Sequence, residues 1–228
     1  MALPAPVSGI RLCVFDAYGT LFDVHSAVAR ERDAIGPRAD EMSAIWRAKQ
    51  LEYSWLRSLM GAHRDFLAVT RDALDHAAEA IGLENADLLG RLMQAYRRLD
   101  AYPEVPAVLA SLRKAGMKTA ILSNGEPGML ADAVSSAGIA DLIDAVLSVE
   151  EAGIYKPAAP VYDLVGRHFP GIGKPETCFL SSNGWDAHGA AHYGFQVFWV
   201  NRFDRPLERL PGTMRGILRD LQPLPGLV

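Results

Sequence analysis

Short unbroken apolar runs alternate with amphipathic stretches over most of this chain. Residues 10–15 (IRLCVF) are β-branched or aromatic with little alternation, the pattern of a strand covered on both faces. Four similar runs follow: KTAILS at 118–123, DAVLSV at 144–149, TCFLSS at 177–182 and QVFWVN at 196–201. Helical periodicity fills the intervals, over about Glu104–Ala115, Gly128–Ala137, Pro160–His168 and Asp186–Tyr193. Strands separated by helices predict an α/β fold, a doubly wound parallel sheet of Rossmann-like form.

Residues 24–102 break that rhythm and contain no convincing strand. The stretch 39–60 (ADEMSAIWRAKQLEYSWLRSLM) predicts a long helix with Met42, Ile45, Trp46, Tyr53, Leu56 and Met60 along an apolar stripe. Residues 65–82 and 86–100 predict two more helices, and Ser26–Ala34 a short fourth. The simplest organisation is a core of 1–22 plus 103–228, with an all-helical cap domain of 23–102 inserted after the first strand. Such an insertion belongs over the carboxyl ends of the sheet, where open α/β folds place ligands.

Composition narrows the function classes. The chain has 228 residues, 50% of them hydrophobic, enough for a substantial core. A net charge of −4 and a pI of about 5.9 give no sign of a nucleic-acid or membrane surface. No run is long enough to cross a bilayer, and the first residues lack the basic and apolar regions of a signal peptide. Cys13 and Cys178 both lie in strand-like runs and are expected as buried free thiols, which suits a cytoplasmic protein.

Polar residues recur where the apolar runs end. Asp16 follows the first run, Ser123 and Asn124 the second, Lys156 comes soon after the third, and Ser181–Asp186 (SSNGWD) follow the fourth. Each has an ordinary explanation alone: a turn at Asp16, a turn at Ser123–Gly125, a solvated Lys156, a helix cap at Asp186. Together they place a carboxylate, hydroxyls, an amide, an ammonium and a second carboxylate around one crevice.

In this arrangement the chain resembles the haloacid dehalogenase superfamily, and within it the L-2-haloacid dehalogenases, also called (S)-2-haloacid dehalogenases. The strings DAYGTLFDVHS, WRAKQLEYSWLRSLM, AILSNG, YKPAAPVY and SSNGWDA carry the resemblance over nearly the whole chain. Most members of the superfamily transfer phosphoryl groups. They carry a second Asp two residues after the nucleophile and an acid four residues before the last Asp. Tyr18 and Ser182 stand at those positions here. Halide leaves without a proton, so no acid is needed beside Asp16. A carboxylate substrate lacks the charge that Mg²⁺ neutralises on a phosphate. The resemblance therefore implies no metal and no cofactor.

It also implies roles. Asp16 would be the nucleophile toward C2 of a short 2-haloacid, forming an aspartyl ester. Lys156 would hold Asp16 ionised, and Arg47 would receive the departing halide. From periodicity alone Arg47 is an exposed helix residue; the family string is what singles it out. Ser123, Asn124, Ala17 and Tyr18 would bind the substrate carboxylate or halide. Thr20, Ser181, Asn183 and Asp186 would orient Asp16 and the hydrolytic water, and Tyr162 would close the site. Leu51, Phe66 and Trp185 match apolar pocket positions. Ala48 and His188 depart from the family pattern and bear on substrate range. A homodimer through the helical insertion is expected, because Trp46, Tyr53, Trp55, Leu56, Leu59 and Met60 cannot share one helix face. The competing readings are a superfamily phosphatase, an ester-forming hydrolase of a strained cyclic amino acid, and a non-catalytic binder. Tyr18 and Ser182 disfavour the first, and an intact nucleophile the last.

Overall fold

A computed structural model describes residues 3–228; Met1 and Ala2, assigned above to the core segment, lie outside the described residues. The apolar runs form a six-stranded, entirely parallel sheet in the order β3-β2-β1-β4-β5-β6. Its strands are β1 (Leu12–Phe15), β2 (Lys118–Ser123), β3 (Ala145–Ser148), β4 (Thr177–Ser181), β5 (Gln196–Val200) and β6 (Gly216–Leu218). The last has no counterpart among the apolar runs: three residues, GIL, are too few to show a period. β1, the central strand, is fully buried along its length, as a strand covered on both faces must be. Its register sets Cys13 opposite Cys178 of β4, and both remain free buried thiols.

Chain order along the sheet reverses beside β1, with β2 and β3 on one side and β4 to β6 on the other. Loops leaving the carboxyl ends of β1 and β4 therefore diverge and open a crevice between them. Asp16 stands at the end of β1, and Ser181 to Asn183 at the end of β4.

Between β1 and β2 come α1 (Ser26–Arg30), α2 (Arg32–Ile35), α3 (Ala39–Leu59), α4 (Phe66–Ile81), α5 (Ala86–Tyr96) and α6 (Val105–Lys114). Local chemistry sets several of these ends. Asp65 caps α4 by accepting from Ala68 N, and Gly82 ends it at φ 70°, a conformation that glycine adopts without a Cβ clash. Asn85 caps α5 in the same way through Leu88 N. The single helix expected over Ser26–Ala34 is two short ones, broken at Glu31 where φ is −106° and ψ 14°. The helix expected to reach residue 100 ends at Tyr96.

The apolar stripe expected along α3 holds only in its first half. Met42 and Trp46 are buried, but Leu56 and Met60 are 45% and 75% exposed. The buried face continues instead through Gln50 and Ser54, polar residues that a hydrophobic pattern passes over. The two connections joining the helical segment to the sheet run side by side. Asp23 N donates to Asp100 O at 2.8 Å and Tyr102 N to Leu21 O at 2.9 Å. The remaining helices, α7 (Pro127–Ser136), α8 (Ala159–His168) and α9 (Gly184–Tyr193), cover the sheet. No helix among the described residues is long and apolar enough to cross a membrane.

Candidate active site

Asp16 leaves β1 with its backbone N–H still donating to Leu180 O, so the sheet itself fixes where its carboxylate begins. Both carboxylate oxygens are engaged. Oδ1 accepts from Lys156 Nζ at 3.1 Å. Oδ2 accepts from Asn183 Nδ2 at 2.8 Å, Thr20 Oγ1 at 3.1 Å and Ser181 Oγ at 3.4 Å. Thr20 Oγ1 also accepts from Ser182 N at 2.8 Å, which ties the β1 loop to the β4 loop.

Lys156 is 1% exposed and its ammonium lies between two carboxylates, with Asp186 Oδ2 at 2.9 Å. Burial works against its charge, but Asp16 and Asp186 outweigh it and hold the ammonium above its ordinary pKa. Lys156 is thus a fixed cation at neutral pH. Burial pushes the Asp186 carboxyl up, and Lys156 and Tyr162 pull against that by bonding its charged form. Tyr162 donates to Asp186 Oδ1 at 2.8 Å from α8, wholly buried. From there it supports Asp186 through that hydrogen bond.

Ser123 is fully buried and its Oγ accepts from Gly125 N at 3.0 Å, so the turn reading of this residue is also true. Asn124 Oδ1 accepts from Lys156 N at 3.1 Å, which sets the backbone from which Lys156 reaches in. Tyr18 is stacked on Tyr96 at 5.5 Å and tilted against Phe66 at 5.6 Å. Its buried hydroxyl has no partner among the described residues. Phe66 is therefore part of an aromatic cluster with Tyr18 and Tyr155. Ala17 is buried at the start of the turn whose carbonyl accepts from Thr20, Leu21 and Phe22 N.

Arg47 reaches down from α3. Its Nη2 donates to Asn183 Oδ1 at 3.2 Å and its Nη1 to Gln50 Oε1 at 2.7 Å. Periodicity places it in solvent; it is half-buried and touches the residue that holds Asp16. Arg47, Ala48, Leu51, Asn183 and Trp185 line a cleft of about 410 Å³, with Phe203 and Arg205 also in its wall. The other departure, His188, is buried with Nδ1 near Pro211 O at 3.2 Å.

Ser182 hydrogen-bonds Thr20 Oγ1 at 3.1 Å. Asp16 and Asp186 share the Lys156 ammonium, which already supplies their positive partner. These residues do not fit a Mg²⁺ site, and no cluster of three His, Cys, Asp or Glu among the described residues could hold a metal ion.

Comparison with known proteins bears directly on this arrangement. A profile for haloacid dehalogenase-like hydrolases matches residues 10–194. The chain is 45% identical to (S)-2-haloacid dehalogenase 1 of Pseudomonas sp. (strain CBS-3) over 220 residues, 96% of either chain. The chain belongs to the (S)-2-haloacid dehalogenases of the haloacid dehalogenase-like hydrolases. A solved dehalogenase with an intermediate complex superimposes with a TM-score of 0.95 at 41% identity, over 97% of this chain and 98% of the other. The L-2-haloacid dehalogenase of Xanthobacter autotrophicus, with chloropropionic acid covalently bound, gives 0.89 at 39% identity, over 96% and 98%.

Of the residues expected from the sequence of this dehalogenase, Asp16, Thr20, Lys156, Ser181, Asn183 and Asp186 form one hydrogen-bonded group, buttressed by Tyr162. Arg47 joins it through Asn183. Sequence reasoning misses Gln50, Thr70 and Tyr96, although Gln50 is fully buried against Arg47. A polar residue three positions after a helix Arg carries no signal by itself.

Proposed function

We propose that the chain hydrolyses short L-2-haloalkanoic acids to D-2-hydroxy acids and halide through an ester on Asp16. What carries the reading is the pairing of Asp16 with Lys156 at 3.1 Å, on a strand end whose second following residue is Tyr18 and not an acid. A carboxylate paired with a buried ammonium at a strand end is placed to act as a nucleophile, and a halide needs no general acid to leave. Oδ1, with one donor, is the attacking oxygen. Attack opposite the carbon–halogen bond inverts C2. Arg47 receives the halide, and Ser123, Asn124 and the backbone at Ala17 and Tyr18 hold the substrate carboxylate.

In the second step Oδ2 becomes the ester carbonyl oxygen. The donors on it, from Asn183, Thr20 and Ser181, then meet the negative charge that develops as water attacks the Asp16 carboxyl carbon. Asp186 takes one proton of that water and passes it to the departing hydroxyl oxygen, and the second proton goes to solvent as the Asp16 carboxylate is restored. Leu51 and Trp185 give the alkyl part an apolar wall, with the Tyr18 and Phe66 rings packed against each other nearby.

We read 23–102 as a cap on a core of 1–22 and 103–228. Leu56, Leu59 and Met60, at 45%, 84% and 75% exposure, fit an interface with a second copy. Two free thiols suit a reducing cytoplasm. The test of the function is halide release from each enantiomer of 2-chloropropionate. Release from the L-form with D-lactate as product is expected; release of phosphate from phosphomonoesters with none of halide would overturn it.

A further inference from the structure

Gln50 has no access to solvent, and both ends of its amide are hydrogen-bonded. Oε1 accepts from Arg47 Nη1 at 2.7 Å and from Tyr96 OH at 3.1 Å. Nε2 donates to Thr70 Oγ1 at 2.8 Å, and Thr70 Oγ1 donates onward to Phe66 O at 2.6 Å. This series of hydrogen bonds fixes which way the amide faces. A flip would aim its NH₂ at the guanidinium, donor against donor. Burial raises the Tyr96 hydroxyl, so that it remains a donor at neutral pH. On its other side Arg47 donates to Asn183 Oδ1 at 3.2 Å. The guanidinium is therefore clamped between two neutral amide oxygens, one on α3 and one beyond β4.

Neutrality is the point of that clamp. A glutamate at residue 50 would accept the same hydrogen bond, but it would pair with the guanidinium and cancel the charge offered to a leaving anion. A leucine would fill the space and release the guanidinium to other rotamers. We propose that Gln50 is a positioning residue for carbon–halogen cleavage: its amide aligns Arg47 without neutralising it, and Thr70 and Tyr96 align the amide. The proposal rests on the reading of Arg47 as the group that receives halide.

The experiment is single-turnover halide release from L-2-chloro- and L-2-bromopropionate by Gln50→Leu, Gln50→Glu and Thr70→Val, beside Arg47→Lys. Misplacement of a reacting contact by about 1 Å can cost on the order of 100-fold. Gln50→Leu is expected to slow ester formation by about 10- to 100-fold on that basis, and Gln50→Glu to slow it by cancelling the charge that meets the halide. The bromide-to-chloride rate ratio should rise, because the poorer leaving group depends more on Arg47. Ester hydrolysis should keep its rate, and Thr70→Val should shift the ratio less. A residue that only supports the fold lowers the active fraction and leaves the ratio alone. A wild-type ratio in both Gln50 variants, with a raised ratio in Arg47→Lys, overturns the proposal. An unchanged ratio in Arg47→Lys overturns the halide reading of Arg47 itself. Should Gln50→Leu fail to fold, Gln50→Glu and Thr70→Val decide by the same ratio.

Discussion

Replacing Lys156 by methionine keeps most of the apolar stem and removes the cation that two buried carboxylates share. The ammonium lies 3.1 Å from Asp16 and 2.9 Å from Asp186, on a residue that is 1% exposed. Removing one partner of a buried ion pair costs about 3–5 kcal/mol, because the remaining charge has neither solvent nor counterion. Against a total stability of roughly 5–15 kcal/mol this is a large loss. It should also depend on pH. Burial already raises the Asp186 carboxyl with Lys156 present, and without the ammonium that rise is unopposed. An acid whose folded pKa is raised contributes most below its unfolded value near 4, and loses that contribution as pH rises through the folded pKa. The variant should therefore sit closest to wild type near pH 5 and furthest from it at pH 8. Each tenfold gain in the proton affinity of Asp186 on folding adds about 1.4 kcal/mol to that difference. Urea unfolding of both proteins at the two pH values measures this. Adding Asp186→Asn to Lys156→Met should restore part of the loss at pH 8. A variant less than about 1 kcal/mol below wild type, by the same margin at both pH values, would refute the argument that this lysine compensates buried charge.

Arg47→Lys keeps the charge but loses the planar fork that meets Asn183 and Gln50 together, so ester formation should fall by on the order of 100-fold; near-wild-type halide release would return Arg47 to the surface. Exhaustive EDTA treatment should leave turnover unchanged, since Ser182 takes the place of a ligand acid; loss that Mg²⁺ restores would count against the site as described. Leu59→Glu with Met60→Glu should convert a dimer to monomer in light scattering without loss of halide release per chain; a wild-type protein that is already monomeric at micromolar concentration would remove the interface. Tyr162→Phe deletes the 2.8 Å donor on Asp186 and should slow ester hydrolysis more than ester formation; an accumulating ester in the quenched enzyme reports it.

The strand ends were legible because polar residues are conspicuous after apolar runs, and the sheet then brings strand ends together without further information. Asp16, Ser181 and Asn183 meet because β1 and β4 are neighbours in register. Lys156 was legible as a loop residue but not as a buried one, since nothing local marks burial of a lysine. The helical segment was harder. A hydrophobic stripe locates a helix and misses the polar half of its buried face. Gln50 and Ser54 are buried on α3 while Leu56 and Met60 are exposed. Arg47 is identified only through the resemblance, because its partner Asn183 lies 136 residues away and no local pattern encodes that contact. β6 is invisible because a three-residue strand has no period.

Whether Asp16 attacks carbon or activates water is decided by oxygen-18 in a single turnover. The substrate, in less than equimolar amount, is converted in H₂¹⁸O, and both the product and the peptide containing Asp16 are weighed. Attack by Asp16 gives an unlabelled hydroxy acid in the first turnover, with ¹⁸O in the Asp16 carboxylate as water opens the ester. That is the result expected from a carboxylate whose Oδ1 meets Lys156 and whose Oδ2 is held by Asn183, Thr20 and Ser181. Label in the first product, with none in the Asp16 peptide, would contradict the covalent mechanism.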